Sequence, residues 1–242
     1  MGTERDTSSE LLTAALADHI ELEESIGVSG HARLYAGLDR RRGVEVVVKV
    51  YGSEGRAVCE AEARALARLG DHRHILTAVV VGHSAGAAGF SWIVTDRAAG
   101  GSLAQRIGVP ANEVIIWAAQ LAEALAHAHA NGVVHGDVTP SNVFLDRNDL
   151  VLLGDFGSAV LLGDATTDDR ATGHTPAYAA PERRRLAAAA PADDIYGLAA
   201  TVLAVCGDHH ELPGGPRRLL QRCLGAAGSR PDASTLAHRL AR

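Results

Sequence analysis

The chain turns from mainly strand-like to mainly helical spacing at Ala98-Ala-Gly-Gly101, and that change confines it to a short list of folds. Ahead of the break, apolar residues recur at every second position. Ile20-Glu-Leu-Glu alternates, Arg33–Leu38 follows a glycine turn, and Val44-Glu-Val-Val-Val-Lys-Val is rich in β-branched residues, so each reads as a strand. Val79–Val81 and Trp92–Thr95 add two more, and residues 56–69, ended by Gly70, read as one helix. Behind the break the spacing becomes helical. Val114, Trp117, Leu121 and Leu125 share a face, and Asn131-Gly132 supplies a stop. Val143–Leu145 and Leu150–Leu153 read as a short hairpin, and residues 158–180 as a long polar surface loop. Ile195–Cys206, Leu219–Leu224 and Ala233–Leu240 read as helices. Strands followed by helices, rather than alternating with them, predict an α+β chain in two lobes. Residues 1–18 are expected as a leader, residues 19–97 as a small five-stranded antiparallel lobe with one helix, and residues 98–242 as a mainly helical lobe.

Composition narrows the function classes. The 242 residues are 47% apolar and 21% charged, ordinary for a globular protein. The net charge is −6 and no basic block stands out, so nucleic acid is not an expected partner. Apolar runs stop well short of a bilayer span, and Met1 to Glu10 is polar, unlike a signal peptide; a cytoplasmic location follows as the expectation. Cys59, Cys206 and Cys223 lie far apart with no C-x-x-C pair, which argues against zinc and a disulfide framework. His127 and His129 do not share a helix face, and His209-His210 is an isolated pair, so neither has the spacing of a metal site.

Lys49 is the one lysine among 23 basic residues, and it sits inside a run of valines. A compact ammonium on a strand suits phosphate contact. Glu62 lies on the expected helix that follows. Ahead of Lys49 stands Ile26-Gly-Val-Ser-Gly-His-Ala-Arg-Leu-Tyr35, a small-residue loop between two strands. Beyond the break come His135-Gly-Asp-Val-Thr-Pro-Ser-Asn142 and, one hairpin later, Asp155-Phe-Gly157. Thr175-Pro-Ala-Tyr-Ala-Ala-Pro-Glu182, Asp194-Ile-Tyr-Gly-Leu198 and Arg230-Pro231 follow in order. A cradle for phosphates, a cation, oxygen ligands for a hard metal and a carboxylate beside the attacking hydroxyl are the parts that phosphoryl transfer requires.

In this order the motifs resemble those of Hanks-type Ser/Thr protein kinases of the bacterial kind, over about residues 20–241. The resemblance implies a bilobal kinase fold with ATP in the cleft, Mg²⁺ as the metal and protein substrates. Gly27, Ser29 and Ala32 match the three glycines of the phosphate loop, with two of them replaced. By the same match Lys49 holds the α- and β-phosphates, Glu62 pairs with Lys49, and Asp137 is the catalytic base. Asn142 and Asp155 hold the metal. Thr95 is the gatekeeper, and Asp96 and Ala98 offer hinge backbone to adenine, with Ile26, Leu34, Val47 and Phe144 around the ring. Leu66, His135 and Phe156 stack as a spine, and Gly157 completes its motif. Thr175 lies in the peptide-docking segment, Asp194 ties down the catalytic loop, and Arg230 pairs with Glu182.

Three departures qualify the match. Gly136 replaces the arginine that meets a phosphorylated activation loop, which predicts activity with little dependence on loop phosphate. Thr166, Thr167 and Thr172 are the candidate autophosphorylation sites. Thr139 replaces a catalytic-loop lysine, and losing one preorganised cation costs on the order of 10²-fold or more in rate. The stretch Gly207–Gly215 is shorter than in the family. No sensor segment is expected beyond the core, and regulation is expected from a partner, a dimer or expression level. Two rival readings stand beside this one. His135-Gly-Asp with Asn142 also resembles the loop of aminoglycoside phosphotransferases, and the weakened glycine loop with Thr139 fits a nucleotide-binding pseudokinase scaffold.

Overall fold

The computed structural model describes residues 12, 16, 19–84, 89–164, 173–185, 188–207 and 212–242. Thr166, Thr167, Thr172, His209 and His210 lie outside the described residues, as does most of the expected leader. The chain divides into two compact units, Met1–Arg64 with Thr77–Arg97, and Ala65–Leu76 with Ala98–Arg242.

The first unit is built on five antiparallel strands, β1 (Ile20–Ser29), β2 (Ala32–Asp39), β3 (Val44–Tyr51), β4 (Ala78–His83) and β5 (Ser91–Asp96), in the order β1-β2-β3-β5-β4. The period-two runs of the sequence therefore become strands, β2, β3 and β5 a residue or two longer than read, β4 three longer and β1 six longer. Alternation divides the side chains of β3 between two faces. Val46 and Val48 join Val94, Trp92, Phe90 and Ile20 in a buried cluster. Leu12 and Leu16, four residues apart within the expected leader span, are buried in the same cluster. The opposite face carries Val47, Lys49 and Tyr51, with Leu34 and Ile93 directly across from Lys49 and Thr95 across from Val47. Helix α1 (Arg56–Leu69) begins beside the end of β3, and its last turn belongs to the second unit.

The turn between β1 and β2 differs from the sequence reading. β1 continues through Gly27 to Ser29, and the chain reverses over Gly30 and His31 alone, with Ser29 paired to Ala32. Gly30 takes φ 53°, the left-handed conformation that a two-residue hairpin needs at its first position. The glycine that makes the turn is thus one the family pattern had not matched.

The second unit is organised around α2 (Ala111–Ala130), α3 (Pro191–Val205), α4 (Gly214–Cys223) and α5 (Ala233–Leu240). α2 buries Val114, Trp117, Leu121 and Leu125 together with six alanines, so small residues let its neighbours approach closely on most sides. It ends at Asn131 and Gly132, the latter at φ 68°. α3 starts with Pro191 in its first turn, and Asp193 accepts a hydrogen bond from the Ala190 amide at 2.8 Å. α4 begins five residues earlier than the apolar pattern suggested, because Pro213 and Pro216 are tolerated at a helix start. Short strands β7 (Val143–Leu145) and β8 (Val151–Leu153) form the expected hairpin. A second pair, β6 (Val133–Val134) with β9 (Val160–Leu161), was not expected; all four residues are buried, so residues 158–180 are not a surface loop throughout. Two residues are too few to show a period, which is why this pairing is silent in sequence. Among the described residues no helix is long and apolar enough to cross a membrane.

Candidate active site

The candidate groups fall into two sets, one in each unit. In the first, Lys49 reaches Glu62 of α1 with Nζ 2.7 Å from Oε1. Both side chains are buried, 11% and 2% exposed. The other carboxylate oxygen of Glu62 accepts a hydrogen bond from the Tyr51 hydroxyl. Burial and the charges of Glu62 and Glu60 push the neighbouring Cys59 thiol up to about 11, which leaves it unreactive at neutral pH. Leu34 and Val47 are half-buried on the face that carries Lys49, while Ile26 and Gly27 are exposed on β1 and Ser29 is half-buried at its end. Thr95 is buried, and Asp96 is exposed and held by Arg42 at 2.6 Å.

In the second unit a buried carboxylate shapes the loop over residues 135–142. Asp194, 1% exposed, accepts the His135 amide at 2.9 Å, the Gly136 amide at 2.8 Å and His129 Nε2 at 2.8 Å. Burial alone would raise its pKa, but the His129 hydrogen bond and charge, then His135 and the Gly136 amide, hold it below the usual value. Sequence reading found Asp194 and missed its partner His129. Among the described residues no group of His, Cys, Asp and Glu forms a metal cluster. Thr201 Oγ1, also missed, donates to Val138 O at 3.0 Å and pins the loop from α3.

Gly136 follows from this arrangement. Its φ is 82°, and a Cβ there would stand 2.6 Å from the Ser158 carbonyl oxygen. A side chain at this position must displace backbone, so the glycine fits the loop as well as removing a cation. Thr139 is buried and brings no charge.

His135 Nε2 donates to Gly154 O at 3.0 Å and its Nδ1 accepts the Asp137 amide at 3.2 Å. Its ring meets Phe156 edge-on, centroids 4.7 Å apart, and both are buried along with Leu66. Asp137 takes three donors on its carboxylate: Thr175 N to Oδ1 at 2.7 Å, Thr175 Oγ1 to Oδ2 at 3.2 Å and Asn142 Nδ2 to Oδ2 at 3.1 Å. A carboxylate offers about four acceptor positions, so among the described residues one remains, on Oδ1. Asn142 Nδ2 also donates to Asp137 O at 2.9 Å, and its amide oxygen has no partner among the described residues. Asp155 sits at φ 60°, a conformation rare outside glycine, just before the turn Phe156–Ser158 that holds Gly157. Phe144 lies in β7, with Ser102 bridged to it, and Ala98 accepts the Gly101 amide at 3.2 Å.

Downstream, Arg230 grips Glu182 through both terminal nitrogens and also donates to Ala192 O at 2.9 Å and Gly225 O at 3.0 Å. Tyr196 lies under its guanidinium at 5.1 Å. Burial pushes Asp193, beside this pair, up to about 6.

Comparison with known proteins agrees with this geometry. The chain is 32% identical over 229 residues to the serine/threonine-protein kinase PknK of Mycobacterium bovis, covering 90% of this chain and 20% of that protein. It is 34% identical over 206 residues to the DNA damage-responsive serine/threonine-protein kinase RqkA of Deinococcus radiodurans, covering 79% and 30%. A probable serine/threonine-protein kinase of Clostridium acetobutylicum is 32% identical over 204 residues, covering 78% and 30%. The chain thus spans between a fifth and a third of the length of these curated relatives. The protein kinase domain family matches residues 20–217, and the chain belongs to that family.

Proposed function

We propose that this chain transfers the γ-phosphate of ATP to Ser or Thr hydroxyls of proteins. The observation that carries the reading is the double contact of Thr175 with Asp137. It ties the segment ending in Ala180-Pro-Glu182 directly to the carboxylate of the His135-Gly-Asp137 loop, an arrangement suited to a hydroxyl presented on a polypeptide. The Glu182–Arg230 pair anchors the far end of the same segment. An aminoglycoside-type enzyme has no use for such a segment, so that reading is not favoured.

The roles follow from the donors. Thr175 and Asn142 fix the plane of the Asp137 carboxylate with neutral groups, and the remaining position on Oδ1 takes the proton of the incoming hydroxyl. Lys49, held by Glu62, meets the α- and β-phosphates. The family implies ATP and a divalent metal; Mg²⁺ is the finer assignment, and it would neutralise phosphate charge when bound. The residues fit it. Asn142 turns its nitrogen to Asp137 and keeps its oxygen for a cation, and the Asp155 carboxylate supplies a second hard ligand. Ile26, Gly27, Ser29, Leu34, Val47, Thr95, Asp96, Ala98 and Phe144 would contact the nucleotide. Gly136 supports catalysis that does not wait for loop phosphorylation, because nothing at that position reads a phosphate.

Labelled-ATP transfer tests the reading. The wild type is expected to label dephosphorylated casein and not aminoglycosides, and Asp137→Asn and Lys49→Met to lose that labelling while remaining folded. Equal labelling by all three proteins rejects the mechanism. Binding of ATP·Mg²⁺ without transfer by the wild type supports the scaffold reading instead. Phosphatase treatment that abolishes turnover rejects independence from loop phosphate.

A further inference from the structure

The structure assigns Tyr51 as a positioning residue for Lys49, acting through Glu62. The inference rests on the proposal that Lys49 holds the phosphates of ATP, and it adds a residue that the motif comparison had passed over.

Lys49 and Tyr51 are two apart on β3, so the pleat sends both side chains to the same side, toward Glu62. Val50 between them faces the other way and packs on the sheet's buried cluster. The Glu62 carboxylate therefore receives one donor from each of two residues of one strand: the Lys49 ammonium on Oε1 and the Tyr51 hydroxyl on Oε2. All three residues are buried.

A glutamate held by a single ammonium still turns about its last side-chain bond, and a flexible lysine follows it. A second donor on the other oxygen fixes the carboxylate plane, and with it the direction from which Nζ is held. A phenol is suited to this task because its ring is rigid and its hydroxyl is neutral, so it orients Glu62 without competing for the lysine's charge. The fold also makes room for the ring. Gly55, buried just ahead of α1, lies so close that a Cβ there would stand 3.2 Å from both Cβ and Cδ1 of Tyr51. A larger residue at position 55 would push on the tyrosine and move its hydroxyl.

Strand and helix thereby hold the lysine–glutamate pair through contacts inside one compact unit. Engagement of the pair is built into the packing of β3 on α1, which accords with a catalytic loop that has glycine in place of its phosphate-reading arginine.

The test is a double-mutant cycle on the full chain with Tyr51→Phe, Glu62→Gln and both, each checked for folding by near-ultraviolet circular dichroism. Casein phosphorylation is read as KM for ATP and kcat, and ATP·Mg²⁺ affinity by calorimetry. Tyr51→Phe is expected to weaken ATP binding and kcat/KM about 10-fold, and to change either by less than about twofold when added to Glu62→Gln. Equal losses in both backgrounds, or a Tyr51→Phe protein indistinguishable from wild type, overturn the assignment. A wild type that binds ATP·Mg²⁺ without transferring phosphate sinks the transferase reading alone, because the calorimetric cycle still reads the tyrosine. Carbon NMR of the tyrosine Cζ atoms needs no change at position 51. Glu62→Gln is expected to shift the Tyr51 resonance and leave the other three tyrosines in place, and an unmoved Tyr51 signal overturns the assignment.

Discussion

The two units hold their chemical groups by opposite means. Lys49 and Glu62 are opposite full charges, buried and 2.7 Å apart. Asp137 is half-buried, enters no ion pair among the described residues, and is oriented by a backbone amide, a hydroxyl and a carboxamide. The contrast matches the proposed tasks. An ammonium that only has to stay in place is neutralised and packed away, with each charge compensating the burial of the other. The carboxylate proposed to accept a proton has an open acceptor position among the described residues and takes its direction from neutral donors.

Mutation breaks the contrast most strongly at its extremes. Asp137→Asn is expected to lower phosphate transfer on the order of 10³-fold with little loss of stability, measured by labelled-ATP turnover and urea unfolding. Lys49→Met is expected to lower transfer by about 10²-fold or more and also to cost roughly 3–5 kcal/mol of stability, because it strands the Glu62 charge in the interior. Equal stability for the two variants removes the distinction between the units. Gly136→Ala comes next, at about 1–3 kcal/mol, since the new Cβ meets the Ser158 carbonyl at a positive φ. Thr175→Val sharpens the picture of Asp137: it removes one of three donors and keeps the amide, so a several-fold loss of kcat is expected, with Thr175→Ser close to wild type.

The smallest expected effect is a pH slope at the start of the second unit. His72 Nδ1 accepts the His74 amide at 3.2 Å and its ring stacks on His127 at 4.5 Å, so the folded chain prefers it neutral. Burial first, then the neighbouring His127 and His74, lower its pKa from 6.5; Arg73 acts in the same sense and Glu123 opposes it. A lowered histidine pKa means that the unfolded chain takes the proton first. The stability this group contributes is therefore present above about pH 6.5 and is lost as pH falls through its folded value. His72→Asn keeps an acceptor for the amide without titrating, and is expected to flatten the fall in melting temperature between pH 7 and pH 5.

Much of this was readable in advance where local rules govern. The alternation in Val44–Tyr51 and the apolar face of Ala111–Ala130 announced their elements, because the pleat and the helix each impose a period on a single stretch of chain. The short β6–β9 pair and the burial of Leu12 and Leu16 were not readable, since each depends on a partner distant in sequence. Tyr51 shows the boundary. The period of β3 put it beside Lys49, but nothing in the sequence said that its hydroxyl would end on Glu62.

The sequence alone determined which functional groups exist and in what order, and the local periods that make strands and helices of them. Tertiary structure decided the pairings: Thr175 with Asp137, Asp194 with the His135 and Gly136 amides, Arg230 with Glu182, Tyr51 with Glu62. The physical reason is range. Backbone preference acts over a few neighbouring residues and leaves a pattern in the chain, whereas a hydrogen bond acts over about 3 Å of space and leaves none until folding brings its two ends together.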